Sequence, residues 1–265
     1  MGKRRGHSNL VIVEDAQALG RLGAELFLKL ARTAIQRDSL FTVALSGGNT
    51  PRVLYQVLAT SCSGRNLPWG KIHLFWSDER NVPENSPDSN FHMASEAMLA
   101  PLEVPNGNIH RVRTELGSPE VVAQDYESTI RTYFKLTAPD DKPCFDLVLL
   151  GLGGDGHTAS LFPDGQPGIS INIQEPNRLV IAPWVPHLGE FRFSLTPGAI
   201  NHSSQIIFLV SGIGKAKIIE KIFEADAPSI HYPASAICPV NDRLTWILDR
   251  DAAGSLSVGS RDLAG

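Results

Sequence analysis

A doubly wound α/β fold, with a mostly parallel sheet flanked by helices, follows from three features of this 265-residue chain. Short apolar runs rich in Val, Ile, Leu and Phe recur along it. Most are continuous rather than alternating, the pattern of strands covered on both faces. Amphipathic stretches with helical spacing lie between many of them, and glycine-rich loops follow several of the runs directly.

In chain order, strands are expected at 10–13, 41–45, 72–76, 147–151, 179–182, 191–195, 206–210 and 244–248. Helices are expected at 16–35, where Leu19, Leu22, Leu26 and Leu30 form one stripe, and at 51–59, with Pro51 at the first helical position and Thr50 as cap. Further helices are expected at 90–99, 119–136 and 215–224. The stretch 163–176 carries Pro163, Gly165, Pro167, Gly168 and Pro176 and reads as a long surface loop, suited to be a lid. Residues 1–9 are expected to be a flexible start, 10–250 a single α/β domain, and 251–265, rich in Gly, Ser and Ala, a flexible tail.

Apolar residues make up 42% of the chain, enough for one proper core, and the net charge of −4 offers no bulk attraction for nucleic acid or an anionic membrane. Any anion must therefore meet a local cluster of cations. No apolar run approaches a membrane span, and no signal-peptide core follows the basic Met1-Gly2-Lys3-Arg4-Arg5. Cys62, Cys144 and Cys238 are an odd number without metal-ligand spacing, and Cys62 and Cys144 read as small apolar residues. These features suit a reducing cytoplasm and a monomer or small homo-oligomer whose partner is a small molecule.

The most informative stretch is 145–163, where an apolar strand runs into Gly151-Leu152-Gly153-Gly154-Asp155-Gly156-His157. Ligands of open α/β sheets bind at that edge, and a histidine presented there can act as a base. The residues alone leave a second reading open, in which Asp155 and His157 only cap a tight turn. A second loop, Ser46-Gly47-Gly48-Asn49-Thr50-Pro51, joins a strand to a helix, so its N–H groups and the helix dipole favour an anion. It matches neither the Walker pattern nor the dinucleotide fingerprint.

Three cations follow other strands. Arg80, in Ser77-Asp78-Glu79-Arg80, can hold a phosphate or carboxylate bidentately, with Asp78 or Glu79 to orient it. The plainer alternative is a surface salt-bridge cluster. Ser89 and Asn90 read first as a helix cap. Arg192 alternates with Phe191 and Phe193 and can either face a ligand or point out of a half-buried strand, while Lys215 opens a helix after Gly212-Ile213-Gly214, where a cation opposes the helix dipole unless it holds an anion. His73, His92, His110, His187, His202 and His231 lack partners at ligand spacing and read as surface or satisfied core residues. No residue cluster has the spacing of a metal site.

Together these segments resemble the glucosamine-6-phosphate isomerase/6-phosphogluconolactonase family, on its lactonase side. The resemblance rests on 46–51, on Asp78 to Pro83 with Asp88-Ser89-Asn90, on 151–163, on Arg192 to Thr196 and on Gly212 to Lys215, and spans about residue 8 to 250. It implies a Rossmann-like fold shared with glucosamine-6-phosphate deaminase and related to ribose-5-phosphate isomerase. It also implies cofactor-free, metal-free hydrolysis of a phosphorylated sugar lactone. His157 would then be the general base, Asp155 its orienting partner, and Ser46 to Thr50, Asp78, Arg80, Asn90, Arg192 and Lys215 the residues that bind substrate and phosphate. The deaminase carries Ile-Ala-Phe-Asn-Glu-Pro after the shared Asp-Gly-His, whereas Thr158 to Pro163 here puts Phe162 where the acid stood. Its Met-Asp-Glu-Tyr is replaced by Ser77 to Arg80, which brings in a cation. A third alternative, a sugar-phosphate sensor, is disfavoured because only nine residues precede the first expected strand, too few for a helix-turn-helix.

Overall fold

The computed structural model describes residues 9–163, 177–224 and 232–257. The expected lid lies, beyond Pro163, outside the described residues, as do 1–8 and 258–265. β1 (Asn9–Val13) leads into α1 (Ala16–Asp38), capped by the Asp15 carboxylate, which accepts the Ala18 N–H at 2.7 Å. β2 (Phe41–Leu45), buried throughout, is followed by α2 (Asn49–Thr60) and the short α3 (Cys62–Arg65). Only Ser77 separates β3 (Ile72–Trp76) from β4 (Asp78–Arg80), and α4 (Asn90–Ala94) runs on into one wide π turn over Ser95–Leu99. Then come α5 (Pro119–Phe134), β5 (Leu147–Leu150), β6 (Val180–Ile181), β7 (Trp184–Val185) and β8 (Glu190–Leu195). The chain continues through α6 (Pro197–Asn201), β9 (Ile206–Val210), α7 (Ala216–Glu224) and β10 (Leu244–Asp249).

The main sheet has the order β1-β10-β9-β5-β2-β3, with every neighbouring pair parallel. Successive residues of its strands feed different cores. Val148 and Leu150 join the one that contains Phe145, Tyr126 and Ile219, while Leu147 and Leu149 join the one that contains Phe27, Leu54 and Trp76. Burial on both faces is why these strands are apolar without alternation. The winding reverses between β2 and β5, since the chain steps outward from β2 to β3 and then returns to build β5, β9 and β10 on the other side. That reversal opens a crevice at the carboxyl ends of β2 and β5.

A second sheet, β4-β8-β6 with β7 also on β8, is antiparallel. The alternation of Phe191, Arg192, Phe193 and Ser194 is the signature of such a strand. Other expectations need correction. α2 starts at Asn49, with Gly48 (φ 100°) in the cap position and no side-chain cap, so Thr50 lies inside the first turn. Pro51 is then the third helical residue, still where an N–H has no partner within the helix. Domain packing passes residue 250: Ala252, Ala253 and Leu256 are buried, and the Ala252 N–H donates to Asp249 Oδ1 at 2.8 Å. Small residues there permit a tight turn, not a loose tail. Cys62 and Cys144 are exposed free thiols, as is Cys238, so they are not core residues. Among the described residues, no helix is long and apolar enough to cross a membrane.

Candidate active site

Loops at the carboxyl ends of β2, β3, β5 and β9 meet the small sheet around a cleft of about 330 Å³. Ser46, Gly47, Gly48, Asp78, Arg80, Asn90, Gly153, His157, Arg192 and Lys215 all line it. Asn49 and Thr50 are not among the lining residues; they form the first turn of α2 behind Gly48.

The turn after β5 folds back on itself. The Gly153 N–H donates to the His157 carbonyl at 2.8 Å, the Gly156 N–H to the Gly153 carbonyl at 3.1 Å, and Thr158 Oγ1 to the Gly151 carbonyl at 2.9 Å. Asp155 Oδ1 lies 2.6 Å from His157 Nδ1 and also accepts the His157 N–H at 3.1 Å. Burial pushes the Asp155 carboxyl up, but the bonds from His157 outweigh it and hold it at about 2. A carboxylate ionised at neutral pH can only accept, so Nδ1 carries the proton and Nε2 is left as the basic nitrogen. The arrangement needs a glycine beneath it. A methyl group on Gly153 would lie 2.2 Å from His157 Nδ1 and 2.5 Å from Asp155 Oδ1. Phe162, almost fully buried, packs on the imidazole with ring centroids 4.4 Å apart.

Neither Asp78 nor Glu79 bonds the Arg80 guanidinium: Glu79 Oε1 accepts only the Arg80 backbone N–H, at 2.8 Å, and both carboxylates otherwise face other partners. Asp78 Oδ2 accepts Ser160 Oγ at 2.8 Å and its Oδ1 accepts Asn90 Nδ2 at 3.3 Å. Glu79 turns inward to cap α4, accepting the Asn90 and Phe91 N–H groups at 2.7 and 2.8 Å and the Ser89 hydroxyl at 3.2 Å. Burial pushes the Glu79 carboxyl pKa up against those bonds. Asn90 is buried against the β2 loop so closely that a methyl group on Gly47 would come 1.8 Å from its Oδ1. The missing side chain of Gly47 thus makes room for Asn90 rather than for a ligand. Gly48, with no atom of the described residues within 4 Å of a hypothetical methyl group, is the glycine of this loop left open to one.

Arg80 and Arg192 are direct cross-strand partners in the β4–β8 pairing. Arg80 Nη1 donates to the Asp88 carbonyl at 2.6 Å, Arg192 pairs with Glu190, and the buried Nε of each guanidinium has no hydrogen-bond partner among the described residues. Arg192 therefore faces the cleft despite its alternating strand. Lys215 ends the turn Ile213–Lys215 that leads into α7, and its cleft position is set by Asp249, whose two carboxylate oxygens accept the Gly212 N–H at 3.0 Å. Burial lowers the Lys215 ammonium, with Asp155 acting in the opposite direction.

The cleft also contains residues to which the sequence reading gave no part in the site, among them His187, read there as a surface or satisfied core residue. Ser160, Phe162, His187 and Leu188 line it. His187 was unremarkable because its neighbours in the chain offer it no partner; the hairpin signal around it, Pro186 to Gly189 between two strands, was the available clue.

The family model for glucosamine-6-phosphate isomerases/6-phosphogluconolactonase matches residues 14–246. The 6-phosphogluconolactonase of Nostoc sp. (strain PCC 7120) is 40% identical over 247 residues, covering 93% of this chain and 98% of that protein. That of Synechocystis sp. (strain PCC 6803) is 43% identical over 84% of this chain and 88% of its own length. Among solved structures, 6-phosphogluconolactonase from Trypanosoma cruzi superposes with a TM-score of 0.80 at 26% identity, over 97% of this chain and all of that one.

Proposed function

Since this chain belongs to the glucosamine-6-phosphate isomerase/6-phosphogluconolactonase family, we propose that its reaction is hydrolysis of 6-phospho-D-glucono-1,5-lactone to 6-phospho-D-gluconate in the oxidative pentose phosphate pathway. The observation that carries the reading is one cleft with a carboxylate-oriented imidazole at one side and two arginines in register on the small sheet.

His157 Nε2 takes a proton from water as the water oxygen attacks C1. The bond between C1 and the ring oxygen then breaks, and the imidazolium returns that proton to the leaving oxygen. The new carboxylic acid loses its own proton to solvent. Asp155 fixes the tautomer and stabilises the transient imidazolium. The phosphate is held by Arg80 and Arg192, with Lys215 on the Asp155 side and the Ser46 to Gly48 backbone adding uncharged contacts. Like charges directly opposed across two strands are unfavourable unless an anion lies between them. Asp78 and Asn90 brace these walls through their bonds to Ser160 and to each other. The reaction uses no metal or cofactor. Three exposed free thiols suit a reducing cytoplasm.

The test is opening of freshly prepared lactone, coupled to phosphogluconate dehydrogenase and corrected for spontaneous hydrolysis, beside an assay for ammonia release from glucosamine 6-phosphate. Lactone opening is expected, with an Arg192→Ala variant losing about ten- to a hundredfold in kcat/KM, the worth of one charge-assisted contact. Ammonia release without lactone opening would show the reaction to be the deaminase's.

A further inference from the structure

We propose that His187, at the tip of the β7–β8 hairpin, is a substrate-contacting residue that binds the hydroxyl-bearing middle of the sugar and so sets the enzyme's demand for a polyol. This inference rests on the lactonase reading and adds to it the group that recognises the part of the substrate between phosphate and ester.

The hairpin tip is a built structure. The Leu188 and Gly189 N–H groups both donate to the Val185 carbonyl, at 3.0 and 2.9 Å, and Gly189 takes φ 65°, a conformation that favours glycine. Val185 is fully buried and forms with Phe162 a small apolar cluster separate from the two main cores. Phe162 thus has two duties: its ring packs on His157, and it anchors the hairpin. His187 meets the same ring edge-on, with centroids 5.6 Å apart. The two imidazoles therefore meet the same phenyl group, which places His187 beside the reacting centre.

Chemistry assigns its role. Asp78, Ser160 and Asn90 already bond one another, and Asp155 is committed to His157. The cations supply charge for the phosphate. His187 lines the cleft, is exposed, and has no hydrogen-bond or ionic partner among the described residues, so both ring nitrogens are available. A neutral imidazole offers one donor and one acceptor, which matches neighbouring sugar hydroxyls.

The experiment compares wild type, His187→Ala and His187→Asn. It measures KM and kcat for the lactone, and inhibition constants for 6-phosphogluconate and for inorganic phosphate. For His187→Ala we expect KM and the 6-phosphogluconate constant to rise together by about two- to tenfold, the worth of one or two neutral hydrogen bonds. The phosphate constant should stay as in wild type, and His187→Asn should recover part of the loss. Because Arg192 lies on the same hairpin, a merely structural role would weaken phosphate and 6-phosphogluconate alike, and that result would overturn the proposal. So would an unchanged 6-phosphogluconate constant in an active enzyme. Absence of lactone opening by the wild type would instead overturn the reaction on which the proposal depends.

Discussion

Which nitrogen of His157 carries the proton decides what the ring can do, and Asp155 makes that decision from 2.6 Å away. His157→Ala is expected to keep the melting temperature within a few degrees while kcat falls at least about a hundredfold, the usual loss for a positioned base. Near wild-type kcat in a folded variant would remove His157 from the chemistry. A second imidazole pair works against acid. His73 Nδ1 and His110 Nε2 are 3.1 Å apart between Phe75 and Tyr133, and burial, reinforced by His73, lowers His110 to about 4. A base depressed in the folded state stabilises it above the unfolded value, near 6.5, and that contribution disappears as pH falls toward about 4. Urea midpoints should accordingly drop through this window, and a His110→Gln variant should drop less. The sequence made His157 legible because strand, glycines and acid are contiguous, whereas His110 and His73, 37 positions apart, meet only in three dimensions.

At the level of the element, the turn after β5 depends on its glycines unequally. A methyl group on Gly153 would strike the Asp155–His157 pair, while at Gly154 the nearest atom, the Gly214 carbonyl oxygen, would be 3.8 Å away. Gly153→Ala should therefore fold and still lose about a hundredfold in kcat/KM, the scale of misplacing a reacting group by about an ångström. Gly154→Ala should remain close to wild type in the same assay; equal losses in both variants would mean that general flexibility, not clearance for the pair, is what the turn needs. The run of glycines announced a tight turn, but which of them mattered depended on side chains that return over the backbone. Glu79 shows the same limit. Beside Arg80 it read as the partner of a cation, yet its carboxylate caps α4, because three donors from residues 89–91 arrive through the fold.

For the molecule as a whole, the parallel sheet and its crevice were legible because doubly buried strands and the loops that follow them leave their pattern in the chain. The small antiparallel sheet was harder to see, since β4 and β7 span only Asp78–Arg80 and Trp184–Val185 and are defined by pairing with β8. That pairing has a thermodynamic consequence. Two arginines set opposite each other, of which only Arg192 has a carboxylate partner, Glu190, among the described residues, place excess positive charge at the cleft of the empty protein, and a dianion bound between them would offset it. On the proposed phosphate site, the substrate is also a folding ligand. Phosphate at a hundred times its Kd should add about 2.7 kcal/mol and raise the melting temperature by roughly 5–10 °C. An Arg80→Met variant should melt no lower than wild type without phosphate and lose most of the rise with it; an undiminished rise would mean that the anion binds elsewhere. In a cell, where proteolysis follows the unfolded fraction, the lifetime of this protein would lengthen when its metabolite is plentiful and shorten when it runs out.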